Sequence, residues 1–310
     1  MTTLPADLAI CVTCGTQFDV ALSMPPNGCK ICDDPRQYVP PTGQAWTSLS
    51  KLRGAGFKNV WTRDKVDEKI WFITSEPKIG IGQRAIFIET DEGNVLWDCV
   101  PYIDEEFVNE VKAKGGLKAV VISHPHFYTT HLEYASCFSC PVYVSSDDSE
   151  WLSRADLTGF RTPLVTPTTE IIPGITAIKA GGHFPGSLVL HVTSTKGGDA
   201  LMLADTIMTV PSGLYHLARP KGTTSYSFMW SYPNMIPLNP DDINGIWSAI
   251  KPYKFTRTFG GFMGQDVRGD VDLRGRVLES MQIFVGGAGH ADHALMGEKF
   301  EVLPEPPSQG

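Results

Sequence analysis

The sequence predicts an α+β chain in four layers, two stacked β-sheets covered on both outer faces by helices, preceded by a small four-cysteine zinc knuckle. Three observations carry this. Apolar, β-branched runs recur from Val60 onward and are separated by turn residues such as Asp91-Glu92-Gly93-Asn94. Stretches with helix start and stop signals interrupt the first series of strands and follow the second. Two Cys-x-x-Cys turns, Cys11 with Cys14 and Cys29 with Cys32, stand ahead of all of them.

The knuckle comes first. Two such turns can present four thiolates tetrahedrally, the pattern of structural zinc. Iron in a rubredoxin-like site and plain reduced thiols are the alternatives. Seven cysteines, an odd number, with no secretion signal at the N-terminus argue against a disulfide framework and for a cytoplasmic protein. A third pair, Cys137 and Cys140, opens the strand 141–144 and reads as buried free thiol. Pro35, Pro40, Pro41 and Gly43 mark residues 33–48 as a linker. The expected division is a module with its linker over 1–40 and a main domain over 41–310.

The main domain opens with an expected antiparallel meander at 60–62, 70–74, 84–89 and 94–98. Asp104 starts a short helix that stops at Gly115-Gly116. The strand 119–122 follows, then a helix within 129–138 and an N-capped helix at 147–152. Helices are expected again at 240–250 and 273–285, and a frayed Pro-rich tail at 301–310. Between them, residues 211–216 and 224–233 are rich in aromatic side chains and Met. They read either as the roof of an apolar pocket, with Tyr215, Tyr226 and Trp230 as substrate contacts, or as a core-packing helix.

The chemistry concentrates at three strand ends. The run Val120-Val121-Ile122 empties into Ser123-His124-Pro125-His126. In an extended segment, two histidines one residue apart point the same way and can share a metal ion. Downstream, Gly181-Gly182-His183-Phe184-Pro185-Gly186-Ser187 forms a Gly-rich turn between strands, and Leu201-Met202-Leu203-Ala204-Asp205 is an apolar strand ending on an acid.

With these motifs, residues 58–265 resemble the metallo-β-lactamase superfamily, in which an H-x-H-x-D-H loop, a G-H-x-x-G-S turn and a strand-ending Asp build a two-metal site. The resemblance implies metal ligation by His124, His126, His183 and Asp205. It also implies a role for Asp98, at the end of its strand, in orienting a ligand. Tyr128 and Thr129 stand where the family places Asp and His. The stretch Phe259-Gly260-Gly261-Phe262-Met263-Gly264 lacks the family's last histidine. One metal with three imidazoles and an open fourth position is therefore expected. His131 is not at a family ligand position and reads as a residue beside the metal site or the substrate cleft.

A metal so held lowers the pKa of bound water to about 7. Asp205 is the expected base or orienter, and Tyr128 the expected donor to a developing oxyanion. The expectation is zinc-hydroxide hydrolysis of an ester, lactone, amide or thioester in a small hydrophobic or aromatic molecule, with Arg219 and Lys221 near the roof. A repurposed metal- or metabolite-binding member of the superfamily, or a rubredoxin-linked redox protein, are the alternatives. The net charge of −8 argues against nucleic acid as a partner. No stretch reaches the ~20 apolar residues of a membrane span.

Overall fold

In the computed structural model, which describes residues 7–193, 196–215, 220, 222–269 and 272–300, strand alternation sorts side chains into layers. Successive residues of a strand face opposite ways. Val95 and Trp97 point between the sheets while Leu96 points outward. Ala119 and Val121 likewise face inward and Val120 outward. On the second sheet, Ala200 and Met202 face inward and Leu201 outward. Both faces of these strands are buried, so their sequences read as continuous apolar runs.

The first sheet has seven strands. Lys58–Arg63, Ile70–Glu76, Ala85–Ile88 and Val95–Trp97 form the antiparallel meander. Ala119–Val121, Val142–Ser145 and Arg161–Leu164 then join in parallel. The second sheet has six strands, ordered Thr168–Ile172, Ile175–Lys179, Leu188–Val192, Ala200–Met202, Arg257–Phe259 and Asp266–Arg268. Helices Leu49–Gly54, Glu105–Ala113 and His131–Phe138 contribute to the outer face of the first sheet. Pro240–Ile250 and Arg274–Gly287 cover the second. The four-layer sandwich is present. Among the described residues, no helix is long and apolar enough to cross a membrane.

Three stretches differ in detail from their sequence patterns. The helix at 147–152 is a 3-10 segment, Ser146–Trp151, capped by the Ser145 hydroxyl. Among its described residues the aromatic block holds no α-helix: Pro211–Leu214 is a short 3-10 turn, Met208–Thr209 pairs with Tyr226–Ser227, and Met229–Ser231 with Ile236–Pro237. The small cysteine-bearing sheet also continues past residue 40, the expected boundary. Trp46–Thr47 is the third strand of the knuckle's own sheet, pairing with Leu8–Cys11. The stretch 33–48 is thus packed structure rather than a free linker. Residues 301–310, Arg219 and Lys221 lie outside the described residues.

Candidate metal centre

His124 and His126 are not presented by an extended segment. Pro125 opens a 3-10 turn, Pro125–Phe127, and the two imidazoles reach inward with different atoms. His124 offers Nε2 and His126 offers Nδ1, at 3.4 and 3.6 Å from Asp205 Oδ2. His183 Nε2 lies 3.8 Å from the same oxygen and 3.2 Å from His126 Nδ1. All four donors lie within 4.8 Å of one another and all four residues are buried. Ligands at 2.0–2.1 Å around a tetrahedral ion stand about 3.3 Å apart, so this set fits a divalent metal.

Local hydrogen bonds hold each donor. His183 sits in a turn where Gly181 and Gly182 have φ of +69° and +83°. A Cβ on Gly182 would stand 2.9 Å from Thr206 Oγ1, so the turn needs glycine there. Thr206, next to Asp205, donates from its hydroxyl to the Gly181 carbonyl and ties the turn to the strand end. His183 Nδ1–H donates to the Met229 carbonyl at 3.0 Å, which leaves Nε2 free as a ligand. His124 Nδ1 stands 2.8 Å from the Ser123 hydroxyl, and the Ser123 main-chain N–H donates to Asp98 Oδ1 at 2.7 Å. Asp98 therefore reaches the metal centre through Ser123.

The electrostatics suit neutral imidazoles around an anion. Burial pushes the His126 and His183 pKa values down, that of His183 far down. Burial opposes ionisation of Asp205, yet the facing His124 and His126 hold its carboxyl well below the usual range. Asp205 Oδ1 and His126 Nε2 are buried without a protein partner. Asp205 Oδ2 occupies the corner expected to be open.

Other expected site residues lie elsewhere. The Tyr128 hydroxyl donates to the Asp148 carbonyl at 3.2 Å in the core, so it is not the oxyanion donor expected. His131 uses both ring nitrogens: Nδ1–H donates to the Tyr128 carbonyl at 2.6 Å, and Nε2 accepts from Arg161 Nε at 2.8 Å. It is thus neither a ligand nor a direct support of one. Thr129 Oγ1 turns to the Cys99 carbonyl, and the Phe262 ring packs 6.3 Å from that of Phe127. Tyr226 is a core residue, its hydroxyl 2.9 Å from Thr258 Oγ1, so it does not line the site, and Tyr215 is exposed. Trp230 does adjoin it, directly after Met229.

Several neighbours escaped the sequence reading. Phe184 packs its ring against His124, His126 and His183 at 5.7, 5.0 and 5.2 Å. Tyr232 stands 6.0 Å from His183, and the Asp205 charge adds to burial in raising its pKa. Asp34 and Arg36 come from the supposed linker. Asp34 is close enough for its charge to act on His126, after burial and the nearer charges. Composition alone marked 33–48 as punctuation, and only tertiary packing brings it here.

The second group is Cys11, Cys14, Cys29 and Cys32. Sγ atoms of Cys11 and Cys32, and of Cys14 and Cys29, stand 3.6 Å apart. Thiolates at 2.3 Å from a tetrahedral ion would be about 3.8 Å apart, so this set also fits. Hydrogen bonds from the neighbouring thiols favour the Cys11 thiolate, which Gln44 Nε2 also reaches at 3.1 Å. The remaining cysteines, Cys99, Cys137 and Cys140, are free and buried.

No protein-family model matches the chain. Among curated proteins, the uncharacterized protein YmaE of Bacillus subtilis (strain 168) is 37% identical over 255 residues, covering 82% of this chain and 88% of the relative. Among solved structures, VMB-1 superposes with a TM-score of 0.51 at 13% identity, over 74% of this chain and 98% of that one. The DIM-1 metallo-β-lactamase gives 0.50 at 14% identity over 74% and 98%. The metallo-β-lactamase FIM-1 from Pseudomonas aeruginosa, in its mono-zinc form, gives 0.50 at 13% over 74% and 96%. At such identities the structures speak for the fold. Together with the sandwich and the histidine–aspartate cluster, they establish that the chain belongs to the family of YmaE and has the metallo-β-lactamase fold, with a four-cysteine knuckle ahead of it.

Proposed function

We propose that the chain is a metal-dependent hydrolase that cleaves an ester, lactone, amide or thioester bond in a small molecule with an apolar or aromatic part. The observation that carries this is the convergence of His124, His126, His183 and Asp205 on one point at the ends of buried strands. Zinc suits the donor set best, with a second, structural zinc in the knuckle. A metal ion held by the histidines supplies a Lewis acid and a neutral-pH source of nucleophile from water.

The chain's own residues do the rest. Ser123 and the Met229 carbonyl fix the ring orientations of His124 and His183. Asp205, held ionised, has Oδ1 free to accept from an attacking water and orient it. Phe184, Trp151 and Trp230 give the surroundings an aromatic wall, which favours an apolar acyl or leaving group. A single ion is in keeping with Tyr128, Thr129 and Phe262, which are engaged in core contacts. The reduced, buried cysteines suit a cytoplasmic location.

A second reading, a non-hydrolytic metal binder, draws support from Asp205 at the fourth corner, since closed four-coordinate sites are structural more often than catalytic. One experiment separates the two. Metal content and turnover of an ester, lactone and thioester panel are measured for the native chain and for a His124→Ala/His126→Ala double variant. Hydrolysis that vanishes with one metal equivalent supports the hydrolase. Hydrolysis that persists in a metal-free double variant would falsify it, and no turnover by the native, metal-loaded chain favours the binder.

A further inference from the structure

The four-cysteine knuckle reaches the histidine centre through a short segment directly after Cys32. Asp34 and Arg36 form an ion pair at 3.1 Å with both side chains nearly buried. The Arg36 guanidinium lies 4.3 Å from the Phe184 ring centroid, 4.6 Å from that of Trp230 and 5.7 Å from that of Trp151. Phe184 is the ring that touches all three candidate histidine ligands. A guanidinium stacked among aromatic faces is held by cation–π attraction as well as by its carboxylate. Arg36 Nε is buried without a partner, so hydrogen bonds on that edge do not hold it.

The backbone anchors are equally specific. Asn234 Nδ2 donates to the carbonyls of Pro35, at 2.8 Å, and Gln37, at 3.1 Å, and so grips the segment on both sides of Arg36. Lys30, inside the second Cys-x-x-Cys turn, donates from Nζ to the carbonyls of Glu150 and Leu152, the neighbours of Trp151. The knuckle thus fixes the aromatic wall from two directions, and the cysteines that would hold its metal are the fixed end of the lever.

We infer that the knuckle is a working part of the histidine centre: it delivers Arg36 as a positioning residue against Phe184, Trp151 and Trp230, and loading of the four-thiolate site sets the shape of that wall. The positioning role rests on the hydrolase reading. The coupling between the two sites does not. Metal binding to four thiolates is also folding free energy for the segment they organise. Loss of that metal releases Asp34 and Arg36 while the histidine ligands, carried by the sandwich, stay in place.

The test uses the full chain labelled with 5-fluorotryptophan. Its seven fluorine resonances are assigned by Trp→Phe substitution, and metal content is measured alongside. Arg36→Ala is expected to shift the Trp151 and Trp230 resonances, leave those of Trp46, Trp61, Trp71, Trp97 and Trp247 in place, and keep both metal equivalents. Cys29→Ser is expected to shift Trp46, Trp151 and Trp230 together. If Cys29→Ser does not fold, Gln44→Ala, which removes the donor to Cys11 Sγ, is titrated with chelator, and the three resonances must move at one chelator concentration. With p-nitrophenyl acetate as probe, Arg36→Ala should raise KM about tenfold with kcat changed less than about threefold, and Arg36→Lys should restore part of it. Trp151 itself packs against the cysteine cluster, so loss of the knuckle metal that leaves Trp230 in place overturns the coupling, and an unchanged KM in Arg36→Ala overturns the positioning role. If the native chain leaves the ester intact, that counts against the hydrolase reading, and the fluorine spectra alone decide the coupling.

Discussion

The carboxylate of Asp98 accepts the main-chain N–H of Ser123 at 2.7 Å, one residue before the first histidine of the metal centre. Asp98 has a φ of +60° and is fully buried, and the Asp205 charge adds to burial in raising its pKa. A side chain kept in a strained backbone region and away from water is held there by its surroundings. Ser123 passes the constraint on, its hydroxyl 2.8 Å from His124 Nδ1.

Removing either link should weaken the metal centre without touching a ligand. Outer partners of metal ligands are worth roughly 10–100-fold in affinity. Ser123→Ala and Asp98→Ala should each lose affinity in that range at the histidine site, read by competition with a chromophoric chelator. The knuckle's affinity should not change. Equal loss at both sites would mean general unfolding rather than a ligand set adrift.

Tyr128 bears on stability rather than on turnover. Its hydroxyl serves the Asp148 carbonyl, and Tyr128→Phe removes that buried hydrogen bond. The expected cost is about 1 kcal/mol, up to about 3, in denaturant unfolding. Turnover of any ester the native chain hydrolyses should stay within about twofold. A loss of 10²-fold or more, the size expected for an oxyanion donor, would restore the role first read from its sequence position.

The knuckle is expected to release one metal equivalent in Cys29→Ser, as its sequence pattern already implied. Its packing adds a consequence. Gln17 N–H donates to the Thr129 carbonyl at 3.1 Å, and Arg154 Nη1 bridges Gln17 and Glu133 at 2.5 and 2.6 Å. Hydrogen exchange should therefore quicken in 7–47 and also around 129–133 and 150–154. Faster exchange confined to 7–47 would make the knuckle an independent unit after all.

Much of this was legible in the chain. Strands buried on both faces announce themselves as apolar runs, and Ala119–Val121 and Ala200–Met202 lead into candidate ligands where those runs stop. The Gly181-Gly182 turn is readable because only glycine tolerates the left-handed backbone and the close approach of Thr206. Asp34, Arg36 and Tyr232 were not legible as site residues. Nothing in a Pro-containing stretch says what it packs against, and Arg36 meets Phe184 across nearly half the length of the chain. His131 misled for the converse reason. A buried histidine near a metal motif looks functional until its partners, Arg161 and the Tyr128 carbonyl, are known.

Those partners make His131 a sensor of acid through stability. Burial first, and then the Arg161 charge, push its pKa down to about 3, against an ordinary value of 6.5. The folded chain keeps this imidazole neutral at pH values where the unfolded chain protonates it. Its contribution is complete above pH 6.5 and is lost as pH falls from there toward 3, because the unfolded state binds the extra proton. The slope is about 1.4 kcal/mol per pH unit in that window, or about 2 kcal/mol between pH 6.5 and 5. In His131→Gln the amide can still accept from Arg161 and donate to the Tyr128 carbonyl, but it has no proton to gain. Unfolding free energies of both chains, taken in chelator so that release of metal adds nothing to the difference, should converge as pH falls from 7 to 4.5. The native chain loses the additional stability. Curves that stay parallel would show that His131 takes up no more protons on unfolding than glutamine does, and would sever the link between its buried hydrogen bonds and its neutral state.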